Sequence, residues 1–340
     1  MTAMKQVLTL AALAAVSLLC AMSWTSGAAA RSSLGSEDKE CADTANPEAA
    51  IAACTRLYED RGLGRSNRAI ALGNRGAAKK MLGRYEEAIA DFTLAIELDS
   101  DNPQYYCQRG DARLRTNAND DAIADFSAAI RQSPRLLWGY HGRGQGYLAI
   151  GNGELALADF NEAVRLKPEA FSLRVLRGRA NNLVKKYDAA VTDLTQALAN
   201  PKSSSLLPKE RAAVLTQRAF AYAKSDRAND ARSDIDEALR LAPKAAFTVA
   251  VAGLVDEKQG RLTEARDAYR RALDIEPNQV LAKSGLDRIG SGTTAASSED
   301  PEPPEKSEPV ARAVEPSSDS DTCAKYIPEI GRTVKVKCAD

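Results

Sequence analysis

The sequence lacks a second histidine, an excess of charge of either sign and a large share of aromatic residues. His141 is its only histidine, so a Ser-His-Asp triad has no second candidate base and no multi-histidine metal site can form. The 46 basic side chains equal the 46 acidic ones, whereas nucleic-acid-binding domains usually carry a basic stripe. Aromatic residues make up 5% of the chain, which favours stacked helices over a β-sandwich.

Sequence motifs for metal or phosphate binding are also missing. No CxxC pair, Cys/His zinc spacing or GxxxxGK[ST] run occurs. Gly142, Gly144 and Gly146 lack the GxGxxG spacing and lie within a predicted helix, so we interpret them as packing positions. Acidic residues recur beside lysine and arginine, where solvated ion pairs are the usual arrangement. We therefore predict a protein that is not an enzyme and that needs no metal or cofactor.

Residues 1–30 have the features of a secretory signal peptide. Lys5 is the only charge, an apolar run extends from Val7 to Leu19, and small residues precede a cleavage site after Ala30. Cleavage predicts a periplasmic or secreted protein of bacterial type with no remaining membrane span. An uncleaved anchor is the alternative, although a spanning helix needs about 20 apolar residues. A lipoprotein attached through Cys20 is disfavoured because a bulky leucine precedes that cysteine.

Four cysteines lie in two local pairs, one near each end of the mature chain. Cys41 and Cys54 form the first pair, and Cys323 and Cys338 form the second. An oxidising compartment favours a disulfide within each pair. Closing a loop of about 15 residues contributes roughly 3 kcal/mol in the chain-entropy model. Cys107 is left over, and its place in a helical repeat predicts a small buried hydrophobic residue.

The stretch from Leu137 to Ala170 carries a pattern of small, aromatic and proline residues within 34 residues. Its members are Tyr140, Gly144, Tyr147, Gly151, Ala156, Phe160, Ala163 and Pro168. They resemble the signature of the tetratricopeptide repeat, a helix–turn–helix unit with this period. Pro168 ends the second helix because proline supplies no amide for the next turn. The resemblance implies an all-α fold, a right-handed α-solenoid of helix–turn–helix repeats.

The pattern returns in phase in six stretches of the chain. They are residues 69–100, 103–136, 137–170, 171–200, 212–245 and 246–279. The segment NPKSSSLLPKER interrupts the phase as a loop or a bent helix end, and a last helix over 280–289 is expected to cover the apolar edge. We assign residues 67–290 to the array and 31–66 to a degenerate opening unit, in which Asn46 caps a helix that starts at Pro47.

Position 7 of the period is arginine and position 23 is aspartate in the same five repeats. The pairs are Arg75 and Asp91, Arg109 and Asp125, Arg143 and Asp159, Arg177 and Asp193, and Arg218 and Asp234. In the sixth repeat both positions are alanine, Ala252 and Ala268. A half-buried arginine without its carboxylate is costly, so we predict ion pairs with distances under about 4 Å in several repeats. Shared descent of the repeats without contact is the alternative.

The carboxyl-terminal part changes composition abruptly. Residues 291–322 contain eight acidic residues and five prolines against Lys306 and Arg312, which predicts a disordered acidic linker. Residues 323–340 regain apolar side chains, and Thr333 to Lys337 alternate as a short strand would. We predict a small module bounded by Cys323 and Cys338, which either docks on a partner or folds back onto the array.

By the same resemblance, positions 2, 5, 9, 12 and 13 of each repeat should line a concave groove. In the middle repeats these positions include Gln104, Asp111, Arg115, Trp138, His141, Gln145, Arg179 and Asn182. Trp138 is the best single anchor, with ordinary packing against the next helix as its alternative. His141 is interpreted as a semi-exposed helix residue rather than a catalytic base. Gly73 and Ala77 replace a lysine and an asparagine of the chaperone-tail binders, so that class of partner is disfavoured.

These features together predict a protein–protein interaction scaffold of the periplasm or cell envelope. It would bind a peptide or a helical partner of unknown identity in the groove. A structural assembly factor, acting as a homo-oligomer through the array and its carboxyl-terminal tail, is the alternative. Concentration-dependent sedimentation of the protein alone would separate these two functions.

Overall fold

The structure, a computed structural model, describes residues 36–293, 322–327 and 332–337. The chain divides into two units, residues 1–295 and 296–340. The helices of the first unit are α1 (Ser36–Cys41), α2 (Pro47–Glu59), α3 (Arg65–Met81), α4 (Tyr85–Leu98), α5 (Pro103–Arg115), α6 (Asn119–Gln132), α7 (Leu137–Ala149), α8 (Gly153–Leu166), α9 (Phe171–Leu183), α10 (Tyr187–Ala199), α11 (Pro208–Lys224), α12 (Ala228–Leu241), α13 (Ala246–Lys258), α14 (Leu262–Ile275) and α15 (Val280–Thr293). None of these described helices is long and apolar enough to cross a membrane.

Consecutive helices pair as hairpins, from α3 with α4 to α13 with α14, and the predicted helical repeat fold is confirmed. The turn inside each hairpin has one residue with positive φ, at position 15 of the period. These residues are Gly83, Asn117, Gly151, Lys185, Asp226 and Gly260, with φ between 58° and 80°. Glycine adopts this left-handed conformation without steric cost. The other three residues adopt it because the hairpin requires the same turn in every repeat.

Glycines in α7 allow the neighbouring helices to approach closely. A Cβ added to Gly144 would lie 2.8 Å from the ring of Phe160 in the same hairpin. A Cβ on Gly142 would lie 2.2 Å from the ring of Phe126, which belongs to the preceding hairpin. Because interiors are close-packed, neither position has room for a larger side chain. Together with Gly146, these residues have the packing role that the sequence predicts.

The first helices of successive hairpins contact one another, as α5 does with α7, α9 with α11, and α11 with α13. Within the described residues, the second helices of successive hairpins approach one another less closely. A row of hairpins that is more tightly spaced on one side curves toward that side. The first helices therefore line the concave face, which we call the groove.

Both ends of the array have distinct elements. At the amino-terminal end, a disulfide joins Cys41 at the end of α1 to Cys54 in α2, and Asn46 Oδ1 accepts a hydrogen bond from Ala49 N at 3.2 Å. At the other end, α15 packs against α14 and extends the predicted covering helix by one turn. Cys107 is a buried free cysteine, as the sequence predicts.

The interruption between the fourth and fifth repeats is a 3₁₀ helix, Pro201–Ser205, followed by an early start of α11. Asn200 caps the 3₁₀ helix by accepting a hydrogen bond from Lys202 N at 3.0 Å. Glu210 accepts one from Leu207 N at 2.9 Å and so caps α11. The inserted residues thus lengthen the connection without breaking the stack of hairpins.

The described residues of the second unit form an antiparallel hairpin of β1 (Thr322–Ile327) and β2 (Arg332–Lys337). The register pairs Thr322 with Lys337 and Ile327 with Arg332. The predicted strand over 333–337 is confirmed, whereas β1 was not predicted. The predicted linker over 291–322 was too long at both ends, because residues 291–293 belong to α15 and Thr322 belongs to β1. The signal peptide over 1–30, the rest of the linker and Cys338 lie outside the described residues, so the second predicted disulfide stays a prediction.

Candidate partner-binding groove

The five arginine–aspartate pairs lie between the two helices of their hairpins, in a row that we call the seam. The shortest distance in each pair is between 2.5 and 2.8 Å. All five carboxylates are buried. Each arginine donates through Nε and Nη2, which is the bidentate geometry that favours arginine over lysine. The predicted contact is therefore present in all five repeats.

Each seam arginine also binds the second helix of the preceding hairpin through Nη1. The acceptors are Thr55, Thr93, Ser127, Asn161 and Thr195, at distances between 3.1 and 3.4 Å. This contact was not predicted from the sequence. Its signal was a hydroxyl or amide side chain at position 25 of repeats one to four. The seam thus connects successive hairpins as well as the two helices within each.

The sixth repeat, which lacks the seam pair, is joined to the fifth by a different ion cluster. Asp256 in α13 accepts a hydrogen bond from Arg232 Nη2 at 2.5 Å and another from Arg261. Arg232 belongs to α12, so this cluster spans the same boundary between hairpins that an arginine at position 7 spans elsewhere. The sixth repeat therefore also has a buried carboxylate with cationic partners, but Asp256, Arg232 and Arg261 supply these groups instead of positions 7 and 23.

Trp138 and His141 form an edge-to-face pair at the start of α7, with ring centroids 5.6 Å apart. Trp138 is half-buried and packs against the apolar cluster around Phe126, which lies on the preceding helices α5 and α6 rather than on the next helix. His141 is only 6% exposed, so the expectation of a semi-exposed residue was wrong. Close approach of α5 and α7 covers the ring. Burial lowers the pKa of His141 to about 4, against the opposing effect of Asp111, and the ring is neutral at physiological pH.

Asp111 forms an ion pair with Lys80, which was not among the predicted groove residues. Lys80 Nζ donates to Asp111 Oδ2 and to Gln108 Oε1, both at 2.6 Å. The side chains of Lys80 and Asp111 are more than nine-tenths buried. This ion pair joins α3 to α5 along the groove, so the charge of Asp111 is already neutralised. Lys80 occupies position 12 of the first repeat, which is itself a groove position.

Three side-chain amides on successive first helices, Gln104, Gln145 and Asn182, form what we call the amide row. Gln145 is 9% exposed and Asn182 is 7% exposed. Asn182 Nδ2 donates to Gln217 O at 2.9 Å and to Gln217 Oε1 at 3.0 Å. The amide oxygens of all three residues have no hydrogen-bond partner within the described part of the chain. Buried polar atoms are nearly always bonded, so the row has unused capacity at groove positions.

Two predicted groove arginines, Arg115 and Arg179, are half-buried on α5 and α9. Burial lowers the pKa of Arg179 to about 10. The guanidinium therefore remains protonated at neutral pH. His141 is neutral and Asp111 is paired to Lys80, so neither of them leaves an unbalanced charge at the centre of the groove.

The architecture defines a class of protein, a stack of helical hairpins whose first helices line a concave groove. Family models of the tetratricopeptide repeat match residues 69–102, 141–205 and 216–280. The chain is a tetratricopeptide repeat protein. This fold supports a role as a protein–protein interaction scaffold.

Solved structures show the same fold. One is the anaphase-promoting complex hetero-tetramer Cut9–Hcn1, with 17% identity, a TM-score of 0.55, and coverage of 72% of this chain and 53% of that chain. Another is a tetratricopeptide repeat protein from Parabacteroides merdae, with 16% identity, a TM-score of 0.53, and coverage of 75% of this chain and 100% of that chain. The chain thus spans about half the length of the first match. A comparison with curated proteins finds no significant match.

Proposed function

We propose that this protein is an exported scaffold that holds an extended segment of a partner protein in its groove. The observation that carries the proposal is the amide row, whose three oxygens lack hydrogen-bond partners among the described residues. A buried oxygen without a hydrogen bond costs about 1–3 kcal/mol. Backbone amides of a bound segment would meet this capacity after the amide side chains, whose oxygens are buried, turn toward the groove. An extended segment fits better than a helix, because a helix already uses most of its backbone groups internally.

Export is supported by two observations at the amino terminus. Residues 1–30 have signal-peptide features. The disulfide between Cys41 and Cys54 is typical of proteins in an oxidising compartment. A periplasmic or cell-envelope location accommodates both. Sequencing the amino terminus of the natively produced protein tests this part of the proposal, with Arg31 as the expected first residue.

The groove is tested by replacing an amide in the row and a matched amide outside it. Gln145→Met removes the unpartnered oxygen while keeping the length of the side chain. Gln196→Met makes the same change on α10, a second helix, where the side chain is exposed. The natively produced full-length protein is crosslinked to its partners, which are identified by mass spectrometry, and the main partner is then purified for titration.

We expect Gln145→Met to weaken binding of that partner about tenfold, which corresponds to about 1.4 kcal/mol, and Gln196→Met to leave it unchanged. Equal affinities for the two variants would place the partner outside the groove. Self-association without any partner in the crosslinks, detected as concentration-dependent sedimentation, would favour the assembly function instead.

A further inference from the structure

The carboxyl-terminal half of the groove differs from the amide row in chemistry. Positions 9 and 2 of the fifth and sixth repeats are Phe220 on α11 and Phe247 on α13. Their ring centroids lie 5.9 Å apart, and both rings are partly exposed although they also pack against the core below. The ring of Tyr187 also contacts the ring of Phe220 in an edge-to-face arrangement, with centroids 6.2 Å apart. Two phenyl rings thus form an apolar surface at groove positions.

A lysine without a direct anionic partner lies beside these rings. The ammonium of Lys224 is 5.7 Å from the centroid of Phe220, one helical turn away on α11. Lys224 is half-buried, and its side-chain ammonium makes no hydrogen bond or ion pair to any described residue. Burial lowers the pKa of Lys224, and the positive charge of Arg288 acts in the same direction. The ammonium is therefore incompletely neutralised by its surroundings.

The only carboxylate with a notable effect on Lys224 is Glu257, and it is already committed elsewhere. Arg288 donates to both of its oxygens at 2.8 Å, and the hydroxyl of Tyr269 donates to Oε2 at 2.5 Å. These three bonds join the last covering helix, α15, to α13 and α14. Glu257 thus has a structural role, and Lys224 has capacity for an anion from outside the chain.

We propose that Phe220, Phe247 and Lys224 form a subsite for a partner segment in which an aromatic side chain stands next to a carboxylate. The aromatic ring packs on the two phenyl rings, where edge or offset contacts are favourable. The carboxylate pairs with the ammonium of Lys224, which is shielded from water on its aromatic side. The inference rests on the proposed function, since it names what the same groove selects in its partner.

Charge complementarity favours this occupant over a purely apolar one. Lys224 on α11 is a groove cation without a direct anionic partner among the described residues. An acidic segment that passes along the groove meets the amide row through its backbone and the lysine through a side chain. A basic segment would be repelled, because the neighbouring groove carboxylates already have cationic partners.

The test uses three labelled short glycine–serine peptides and the full chain, with binding followed by fluorescence anisotropy. The first peptide carries a phenylalanine between two glutamates, the second a phenylalanine between two lysines, and the third two glutamates without an aromatic residue. We expect the first to bind about tenfold more tightly than either of the others. Equal binding of the three peptides, or no binding of any, would overturn the subsite.

Variants then assign the selectivity to individual side chains. Lys224→Met should weaken the first peptide about threefold to tenfold and leave the second unchanged or slightly tighter. Phe247→Leu should weaken the first two peptides and spare the third. Lys244→Met, an exposed lysine in the loop before α13, is the matched control and should change nothing. Thermal unfolding of each variant verifies that the array is folded.

Gln145→Met distinguishes the subsite from the groove itself. Because the amide row binds backbone groups, that substitution should weaken all three peptides by a similar factor. If Gln145→Met weakens binding of the three peptides but Lys224→Met has no effect, partner binding in the groove is supported and the subsite proposal is wrong. If only Lys224→Met weakens binding of the first peptide, the subsite proposal is supported and the amide row has no part in binding.

Discussion

The seam and the amide row both hold buried polar side chains, but within the described residues the oxygens of the amide row lack the partners that the seam provides. Each seam arginine binds a carboxylate in its own hairpin and a hydroxyl or amide in the preceding one, as Arg109 does with Asp125 and Thr93. In the groove, Gln145 is equally buried and its amide oxygen has no partner within the described residues. The comparison teaches that the seam stabilises the array, whereas the amide row reduces stability, and we propose that a bound partner segment satisfies it.

The largest effect is expected from breaking the seam. Asp125→Ala leaves Arg109 and Arg113, both less than a quarter exposed, without their shared carboxylate. We expect the free energy of unfolding to fall by about 3–5 kcal/mol, because an uncompensated charge remains in a poorly hydrated place. Chemical denaturation followed by circular dichroism measures it.

Asp267→Ala, an exposed aspartate on α14, is the control and should change stability by less than about 0.5 kcal/mol. A loss of less than about 1 kcal/mol for Asp125→Ala would mean that the seam is no stronger than a surface ion pair.

The second prediction concerns pH and the groove. The pKa of His141 falls from 6.5 in the unfolded chain to about 4 when it is buried. Between these values the unfolded state binds more protons, so this contribution to stability is complete above pH 6.5 and is lost as the pH falls toward 4. The loss amounts to about 3 kcal/mol. The free energy of unfolding, measured by chemical denaturation at several pH values, should show this loss. In the variant His141→Gln the same free energy should depend less steeply on pH between 4 and 6.5. An unchanged slope in that variant contradicts the prediction.

The third prediction tests the contact between hairpins. Thr93→Val removes the hydroxyl that accepts a hydrogen bond from Arg109 Nη1 at 3.1 Å. We expect a loss of about 1 kcal/mol, the usual contribution of one hydrogen bond. Thr192→Val is the matched control, because that exposed hydroxyl bonds only to Asp188 O in its own helix. Equal losses in the two variants would show that the crossing bond adds nothing.

The smallest effect, and the only one with the opposite sign, is expected in the amide row. Gln145→Met removes a buried oxygen that has no partner, so stability should stay the same or rise by up to about 1 kcal/mol. A rise in the unfolding midpoint together with weaker partner binding would support the contrast between the two regions. A clear loss of stability would show that Gln145 has a structural role instead.

The repeat pattern made the hairpins and the seam predictable from the sequence. Arg143 and Asp159 lie 16 residues apart at the same places as their counterparts in four other repeats, so a contact in one repeat implies contacts in all. The contact of Arg109 with Thr93 was missed, because hydroxyl, amide and acidic residues share position 25 and no single type marks it. Lys80 was missed for a related reason, since its partner Asp111 lies in the next repeat.

The sequence by itself determined the period, the small residues that let helices approach, and the arginine–aspartate pairs. These depend on spacing within one hairpin, and the same spacing recurs in repeat after repeat. Only the tertiary structure decided which groove side chains have partners and which do not. That outcome depends on how closely α5, α7, α9 and α11 approach one another, and the close approach both buries His141 and leaves the oxygen of Gln145 without a hydrogen bond.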